Sequence, residues 1–314
     1  MCYFSCNVQL SFLYVKVIKT LVPSAKERVT RAEQGAGSSR QQFSVPQGTP
    51  QDSEHMKPPW RVERDEIEVE EEKPLGVGGW GEVRVATFRG IRVAAKFIHE
   101  AIISPHNIDL FVREMNIAAS VRHPNLLLFI GASLDDNKPV ILTELMQANL
   151  RSIIETPSKP LTRVHVVSIS TDVASGLNYL HLMRPDPIIH RDISSANVLL
   201  ERTESGSYRA KVSDYGSANF LSKVITRGPG NASYAAPESM NPKRQSPKMD
   251  VYSYGILLLE MATRKFPDYN LQEKQLDTLP WQQMAAMIRR CICEDPANRP
   301  TMKEILNLLP QINK

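Results

Sequence analysis

The residues best suited to chemistry lie in a short polar run, residues 190–197, that directly precedes an apolar stretch. The run begins with His190-Arg191-Asp192 and ends with Asn197, five residues after the aspartate. A carboxylate such as that of Asp192 can accept a proton from a hydroxyl group, and the amide oxygen of Asn197 can hold a metal ion. A polar turn with a structural Arg191–Asp192 pair is the alternative interpretation of the same residues.

A second acidic residue, Asp214, opens the tripeptide Asp-Tyr-Gly seventeen residues after Asn197. Carboxylate and amide oxygens are hard ligands that suit Mg²⁺. Asn197 and Asp214 therefore predict a magnesium site if the fold brings them together. Taken alone, the tripeptide would be interpreted simply as a turn.

Residues 76–81 read Gly-Val-Gly-Gly-Trp-Gly and fit the pattern G-x-G-x-x-G. Glycines allow backbone N–H groups to approach phosphate oxygens closely. A dinucleotide-binding turn is the rival interpretation, but that turn opens a helix. Here Val83-Arg84-Val85 follows, which has the pattern of a strand. The segment therefore predicts a hairpin that covers phosphates.

Lys96 lies in the apolar strand pattern of residues 91–98, 15 residues after Gly81. A single strand lysine commonly just faces solvent or guards an edge. The apolar neighbours favour an inward side chain instead, and a buried ammonium group needs an anion. A phosphate could provide that anion, and Glu114 on the following helical segment could provide another. Without these neighbours, Glu114 would be interpreted as an ordinary exposed carboxylate.

These residues lie in a chain that is rich in strands first and helices later. Strand patterns occupy residues 67–69, 83–86, 91–98, 126–129 and 139–142. Helical patterns occupy residues 109–120, 150–154, 164–181, 249–263, 280–293 and 301–309. The last helix is predicted to begin with a capping box, because Glu304 follows Thr301 by three residues. A sheet-rich half before a helical half predicts two lobes with a ligand cleft between them.

The composition excludes several classes of function. The net charge of +4 does not predict nucleic-acid binding, which needs Lys and Arg clustered on one face. Four cysteines are too few for a disulfide framework in 314 residues. We therefore interpret Cys291 and Cys293 as buried helix thiols and expect a reducing, cytoplasmic compartment. The sequence contains no apolar run of about 18 residues, so we expect no membrane span.

Residues 24–59 are rich in Ser, Gln, Gly and Pro and predict a flexible linker.

The order of these motifs resembles the signature of eukaryotic protein kinases. It runs from the glycine loop, the strand lysine and the helix glutamate to H-R-D-x-x-x-x-N and D-[FY]-G, and is completed by Ala236-Pro237-Glu238 and Arg299-Pro300. The resemblance covers about four-fifths of the chain. Within that family, the chain resembles the tyrosine-kinase-like branch, whose members mostly phosphorylate Ser and Thr. The residues that carry this resemblance are Trp60 before Glu66-Ile67, His123-Pro124-Asn125, Thr143-Glu144-Leu145-Met146 and Asp250-Val251-Tyr252-Ser253.

The resemblance implies an α+β, bilobal protein kinase-like fold, with a small β-sheet N-lobe that has one helix and a larger helical C-lobe. The implied division is an N-terminal region over residues 1–59 and a kinase domain over residues 60–314. Within the domain, the N-lobe covers residues 60–143, the hinge residues 144–146 and the C-lobe residues 147–314. Asp250 is implied to anchor the catalytic loop, and a bidentate Glu238–Arg299 pair would staple the C-lobe.

The resemblance also implies a serine/threonine kinase that uses ATP and Mg²⁺ and acts on protein substrates. The implied catalytic residues are Lys96, Asp192, Asn197 and Asp214, of which Asn197 and Asp214 would bind Mg²⁺. The implied nucleotide-binding residues are Gly76, Val77, Gly78, Gly79, Trp80, Gly81, Val83, Ala94, Lys96, Glu114, Thr143, Glu144 and Met146. Glu114 would orient Lys96, Thr143 would be the gatekeeper, and Asp192 would accept the substrate proton.

Some residues depart from the family pattern. Ser194 stands where serine/threonine kinases usually carry a lysine, Asn231 stands where they usually carry a threonine, and Tyr215 replaces the commoner phenylalanine. A tyrosine or dual-specificity kinase and a pseudokinase scaffold are therefore the alternatives.

Residues 214–238 resemble an activation loop, a site for an upstream kinase or for autophosphorylation. Its hydroxyl residues are Ser217, Ser222, Thr226 and Ser233, with Ser222 or Thr226 as the candidate switch and Arg191 as the phosphate partner. Loop hydroxyls without a regulatory role are an equal alternative.

Overall fold

The computed structural model describes residues 58–70, 73–78, 81–98, 105–135, 139–158, 161–214, 219–220 and 232–312. Several sequence predictions lie outside these residues: the linker up to residue 57, Gly79, Trp80, Tyr215, Ser217, Ser222, Thr226 and Asn231.

An antiparallel sheet of six strands forms the first part of the described chain. Its strands are β1 Ile67–Val69, β2 Gly76–Gly78, β3 Gly81–Phe88, β4 Ile91–Ile98, β5 Phe129–Ser133 and β6 Val140–Glu144. The spatial order is β1-β3-β4-β6-β5, and β2 pairs with β3. Alternate residues such as Val93 and Ala95 on β4 are buried, and their neighbours Ala94 and Lys96 are only half-buried. This alternation directs Lys96 away from the small core that the sheet forms with Val62, Ile67 and Phe88.

One helix, α1 (Pro105–Ser120), packs against the sheet, and residues 60–62 run beside it as a strap. The indole Nε1 of Trp60 donates to Asn116 Oδ1 of α1 at 2.9 Å. The strap also pairs with β5, because Ala132 N–H donates to Trp60 O at 2.9 Å. A Cβ at Gly131 would lie 2.7 Å from Cγ1 of Val62, so this close approach needs glycine. The strap therefore fixes the helix that carries Glu114.

The rest of the described chain is mainly helical. Its helices are α2 Leu150–Glu155, α3 Arg163–His181, α4 Lys248–Thr263, α5 Gln272–Thr278, α6 Gln282–Cys291 and α7 Met302–Ile312. Short strands lie between them: β7 Ala148–Asn149, β8 Ile188–Ile189, β9 Val198–Arg202, β10 Tyr208–Val212 and β11 Asn219–Phe220. Helix α4 is buried from Met249 to Met261 and forms the centre of the larger core. Its last turn ends at Arg264, which adopts a left-handed conformation (φ 54°).

The fold class expected from the sequence is confirmed, with a sheet-rich first part and a helical second part. Strand β4 has the predicted bounds, and the capping box of α7 is present, with Thr301 N–H donating to Glu304 Oε2 at 2.7 Å. The strand predicted over residues 126–129 was wrong. Leu126 instead bridges to Val212 of β10, and β5 begins only at Phe129. An apolar run does not reveal which of two neighbours a segment pairs with.

Two smaller expectations have mixed outcomes. Cys291 is buried in α6 as predicted, whereas Cys293 is half-buried and lies beyond the end of that helix. Both thiols are free. Within the described ranges, no helix is long and apolar enough to cross a membrane.

Candidate active site

The loop between β8 and β9 holds Asp192 and Asn197 against each other. The amide Nδ2 of Asn197 donates to both the backbone O and Oδ2 of Asp192, each at 2.8 Å. A 3₁₀ turn over Ser195–Asn197 makes this return possible. These two bonds use the amide NH₂ group of Asn197. Its amide oxygen, Oδ1, accepts no hydrogen bond from the described part of the chain and can serve as a ligand atom. The loop thus presents a carboxylate and an amide oxygen side by side.

His190 ties this loop to the strand end that carries Asp214. Its Nδ1 accepts from Asp192 N–H at 3.3 Å, so Nε2 is the protonated ring nitrogen and donates to Ser213 O at 3.0 Å. Ser213 N–H donates to Asn197 O at 2.8 Å. These bonds place Asp214 next to the catalytic loop despite the separation along the chain.

Asp250, fully buried near the start of α4, anchors the same loop as predicted. Its carboxylate accepts the backbone N–H groups of His190 at 2.9 Å and of Arg191 at 2.8 Å. His181 Nε2 lies 2.8 Å from the same carboxylate. Burial alone would raise the pKa of Asp250, but the hydrogen bond and charge of His181 hold that pKa below its ordinary value. The loop is therefore fixed by an ionised carboxylate.

Arg191 adopts a left-handed backbone conformation (φ 71°) between His190 and Asp192. Its guanidinium is buried and donates through Nη2 to Gln245 Oε1. Burial lowers the pKa of Arg191, and the charge of Asp250 opposes that effect. Arg191 thus connects the catalytic loop to the segment before α4.

Lys96 and Asp214 face each other across the two halves of the fold, with Nζ and Oδ2 separated by 3.2 Å. Asp214 adopts a left-handed conformation (φ 67°), which a non-glycine residue adopts only at a cost. Strand pairing places Lys96 opposite Val83 of β3 and Ile141 of β6. The structure therefore brings the strand lysine to the aspartate that follows β10.

The sequence suggested an ion pair between Lys96 and Glu114, but in the structure Lys96 pairs with Asp214. Burial raises the pKa of Glu114 to about 7, the charge of Asp214 adds to this, and the charge of Lys96 opposes it. A carboxyl group that is partly protonated at neutral pH attracts an ammonium group less than an ionised one does. Glu114 thus lies near enough to Lys96 and Asp214 for the charges of both to affect its pKa.

The connection between the two halves presents backbone groups rather than side chains. Glu144 N–H donates to Leu128 O at 3.0 Å, so of its backbone groups only the carbonyl remains for a ligand. Thr143 Oγ1 approaches that carbonyl at 3.3 Å. Among the described residues, no group hydrogen-bonds to the backbone N–H or C=O of Met146. A planar ligand with a donor and an acceptor on one edge fits these atoms.

The Glu144 side chain has a partner that sequence reasoning missed. Lys211 Nζ donates to both carboxylate oxygens of Glu144, each at 2.7 Å, and Leu128 N–H donates to Oε1 at 2.7 Å. Lys211 lies in β10, three residues before Asp214. The contact joins the connection to the strand that leads into the site. A local sequence pattern cannot predict this contact, because the partners are 67 residues apart.

The glycine-rich segment forms the predicted hairpin. Gly76 pairs with Val83 and Gly78 pairs with Gly81 across β2 and β3. A Cβ at Gly81 would lie 1.8 Å from Phe97 O, so the close approach of β3 to β4 requires glycine there. Val77 is exposed near the hairpin tip. The hairpin therefore has an open backbone edge that a phosphate could approach.

The donor set fits magnesium and a nucleoside triphosphate. Magnesium is usually held by one or two protein oxygens together with phosphates and waters. Asn197 and Asp214 offer one amide and one carboxylate, and Lys96 offers a cation beside them. In the described ranges no group of three or more His, Cys, Asp or Glu could hold a metal ion alone. One amide oxygen and one carboxylate beside a cation fit a metal that is shared with a phosphorylated ligand.

Comparisons with known proteins agree with this geometry. A family model described as the protein kinase domain matches residues 69–308. A probable serine/threonine-protein kinase of Dictyostelium discoideum is 36% identical over 245 residues, which is 74% of this chain and 23% of that protein. The serine/threonine-protein kinase CTR1 of Arabidopsis thaliana is 32% identical over 284 residues, 84% of this chain and 33% of that protein.

A dual specificity protein kinase of Dictyostelium discoideum, shkE, is 31% identical over 282 residues, 83% of this chain and 39% of that protein. The chain thus spans about a quarter to two-fifths of the length of these relatives.

Proposed function

The chain belongs to the protein kinase family, and from this premise we propose that it transfers the γ-phosphoryl group of Mg-ATP to Ser and Thr hydroxyls of protein substrates. The observation that carries the proposal is the meeting of four residues from distant parts of the chain. Lys96 contacts Asp214, and Asn197 holds Asp192 in the loop that His190 and Ser213 tie to Asp214.

Each of these side chains has a role in the proposed reaction. Asp192 orients the substrate hydroxyl and accepts its proton, and Asn197 keeps that carboxylate in place through Nδ2. Lys96 holds the α- and β-phosphates. Asn197 Oδ1 and Asp214 are the oxygen ligands for Mg²⁺, which when bound neutralises charge on the transferred phosphoryl group. Such catalysis consists mainly of positioning and charge stabilisation.

The remaining candidate residues are assigned to nucleotide binding. We propose that the Glu144 carbonyl and the Met146 backbone contact the adenine edge, with Thr143 as the gatekeeper. Val83 and Ala94 cover the adenine ring, and the hairpin that includes Gly76, Val77, Gly78, Gly79, Trp80 and Gly81 covers the phosphates. The proposal is supported by the free backbone groups at Met146 within the described ranges. If Asp214 held Mg²⁺, Glu114 would be the anion left near Lys96 and would orient it.

The proposed domain division follows the same geometry. The kinase domain covers residues 60–314, with an N-lobe over 60–143, a hinge over 144–146 and a C-lobe over 147–314. Trp60 supports the first boundary, because its indole is buried against α1. Residues 1–59 remain a predicted N-terminal region, and a cytoplasmic location remains a prediction from the cysteine content.

We further propose that the loop of residues 214–238 is phosphorylated on Ser222 or Thr226, by the protein itself or by an upstream kinase. The support is Arg191, a buried cation beside Asp192 that also reaches Gln245 near the end of this region. Mass spectrometry of active and phosphatase-treated protein tests this proposal. Full activity with an unmodified loop would contradict it.

A second acceptor specificity has a specific observation in its favour. Ser194, which stands where a lysine is usual in serine/threonine kinases, is buried, and two relatives are named dual specificity kinases. Phosphoamino-acid analysis of the autophosphorylated protein, with site mapping, decides between the two. Phosphoserine and phosphothreonine alone support the proposal, and phosphotyrosine shows dual or tyrosine specificity. No incorporation from Mg-ATP, and no phosphorylation of a generic substrate, would indicate a pseudokinase scaffold.

A further inference from the structure

A closed hydrogen-bonded circuit lies beside the catalytic loop and includes none of the residues assigned above. Its members are Arg151 of α2, Ser195 of the catalytic loop, Tyr234 of the segment before Pro237 and Glu260 of α4. Ser195, Tyr234 and Glu260 are fully buried or nearly so, and 21% of the Arg151 side chain is exposed.

Both hydroxyl groups of the circuit lie against the Glu260 carboxylate, and Ser195 Oγ and Tyr234 OH are themselves 3.2 Å apart. Ser195 Oγ donates to Glu260 Oε1 at 2.9 Å, and Tyr234 OH donates to Glu260 Oε2 at 2.6 Å. Each hydroxyl is then free to accept, and Arg151 donates to both, from Nε to Ser195 at 2.7 Å and from Nη2 to Tyr234 at 2.8 Å. The planar guanidinium fork thus matches two hydroxyl groups at fixed spacing, which a lysine cannot do.

Arg151 also brings a positive charge to the buried Glu260 carboxylate, with Nε 3.3 Å from Oε1. Burial raises the pKa of Glu260, and the hydrogen bonds and charge of Tyr234, Arg151 and Ser195 oppose that rise. An ionised carboxylate in this position would be strongly destabilising without the arginine.

Helix α2 is a rigid support for Arg151. Asn149 caps the helix by accepting Ser152 N–H at 2.8 Å, and Arg264 Nη2 binds the carbonyl groups at its other end, including Ile154 O at 2.8 Å. On the outer side, the ring of Phe266 lies 4.6 Å from the guanidinium carbon of Arg151. The side chain is therefore held between an aromatic ring and the buried circuit.

The positions of the hydroxyl groups connect the circuit to the reaction. Ser195 begins the 3₁₀ turn that ends at Asn197, and Asn197 holds the Asp192 carboxylate. Tyr234 lies near the end of the proposed activation loop, and its carbonyl accepts from Ser253 Oγ at 2.8 Å. A shift of Ser195 moves Asn197, and through it the proposed proton acceptor.

We propose that Arg151 is a positioning residue, which clamps the loop carrying Asp192 to the Tyr234 segment through Ser195 and Glu260. The inference rests on the proposed phosphotransfer. In this role Arg151 does not touch the phosphate groups or the substrate hydroxyl. It affects kcat by fixing the positions of Asp192 and Asn197.

The test compares Arg151→Met, Arg151→Lys and Ser195→Ala with wild type in a peptide phosphorylation assay. We expect Arg151→Met to lower kcat about 10- to 100-fold, as a misplacement of about 1 Å does, with the KM for ATP nearly unchanged. Arg151→Lys should not restore kcat, because it lacks the fork. Arg209→Met, which removes an exposed ion pair with Glu201, is the matched control and should leave kcat unchanged.

A double-mutant cycle separates positioning from general destabilisation. Arg151→Met with Ser195→Ala should lose little more than the worse single variant, because both act on one circuit. Arg151→Met with Glu260→Gln removes both charges and should recover thermal stability while kcat stays low. Additive losses in the first pair, or wild-type kcat in the second, would overturn the inference.

A readout independent of turnover distinguishes this inference from the proposed function. Hydrogen exchange in Arg151→Met should accelerate in residues 190–197 and 232–240 together, while Arg209→Met exchanges like wild type. If wild type shows no phosphotransfer, the proposed function fails, but coupled exchange still supports the clamp. Unchanged exchange in both segments would overturn the clamp whether or not the protein is active.

Discussion

Lys96 Nζ and Asp214 Oδ2 lie 3.2 Å apart although 118 residues separate them along the chain. One side chain comes from the central part of the N-terminal sheet and the other follows β10 in the mainly helical half. Each is 27% exposed, so the pair is reachable from solvent, as a ligand site must be. An exposed pair of this kind contributes little to stability. We therefore expect that removing this pair affects the proposed activity more than the stability of the fold.

Replacing Lys96 with Met should reduce phosphotransfer without unfolding the protein. We expect a loss of about 100- to 1,000-fold in kcat, the usual effect of removing one charge-stabilising donor. The melting temperature should change by no more than about 4 °C, because a half-exposed ion pair contributes about 1 kcal/mol or less. Steady-state kinetics and thermal unfolding measure the two effects. A variant with wild-type kcat would contradict the assigned role of Lys96.

Breaking the buried Glu238–Arg299 pair should cause a large loss of stability, unlike the replacement of Lys96. Arg299 is completely buried and donates to Glu238 from Nη1 at 2.6 Å and from Nη2 at 3.0 Å. Glu238→Gln leaves the guanidinium charge without its anion, and we expect a loss of about 3–5 kcal/mol in the free energy of unfolding.

Chemical denaturation measures this loss, with Glu273→Gln as the control. Glu273 is exposed and lies 3.5 Å from Arg289, so its removal should cost about 1 kcal/mol or less. Equal losses of unfolding free energy for the two substitutions would show that the buried pair does not stabilise the C-lobe.

Glu114 should make stability depend on pH near neutrality. Its pKa of about 7 in the folded protein lies above the ordinary value of 4.5, so the folded state binds this proton more tightly than the unfolded chain. Stability is therefore unaffected by this group below about pH 4.5 and falls as the pH rises towards about 7. The total loss is on the order of 3 kcal/mol at most.

Denaturation of the nucleotide-free protein between pH 4.5 and pH 8 measures this slope. Glu114→Gln keeps the neutral shape of the protonated acid and should remove the slope assigned to this group. An identical pH dependence in wild type and variant would exclude Glu114 as its source.

Asp250→Asn should weaken both the fold and the reaction. The carboxylate accepts two backbone N–H groups and lies beside His181, and an amide offers only one oxygen to these donors. We expect a loss of about 2–4 kcal/mol in stability and a lower kcat, because the Asp192 loop loses its anchor. Unfolding and kinetics of Asp250→Asn beside the exposed Asp277→Asn check this, and equal values for the two would refute the anchor.

The candidate site residues could be picked out from the sequence because each lies in a short motif with its own chemical signature. Lys96 sits in an apolar strand, and Asp192 and Asn197 share one polar loop. The prediction of two lobes came from the strand patterns in the first half and the helical patterns in the second. Strand β4 was predicted to the residue because its apolar run ends cleanly at both sides.

The remaining contacts could not be read from local patterns. Lys211 meets Glu144 across 67 residues, and Arg151 meets Tyr234 across 83. The partners are common polar residues, so only the folded geometry identifies them. The sequence suggested Glu114 as an ion-pair partner of Lys96, whereas the structure pairs Lys96 with Asp214.

The most direct test is phosphate transfer from Mg-ATP to a generic protein substrate by wild type and Asp192→Asn. The substitution removes the proton acceptor but keeps a side chain of the same size, and ATP binding measured in parallel should remain within about threefold. We predict robust transfer by wild type and a loss of at least about 100-fold in kcat for Asp192→Asn. Equal rates for the two proteins, or no transfer by wild type that binds Mg-ATP, would contradict the proposed site.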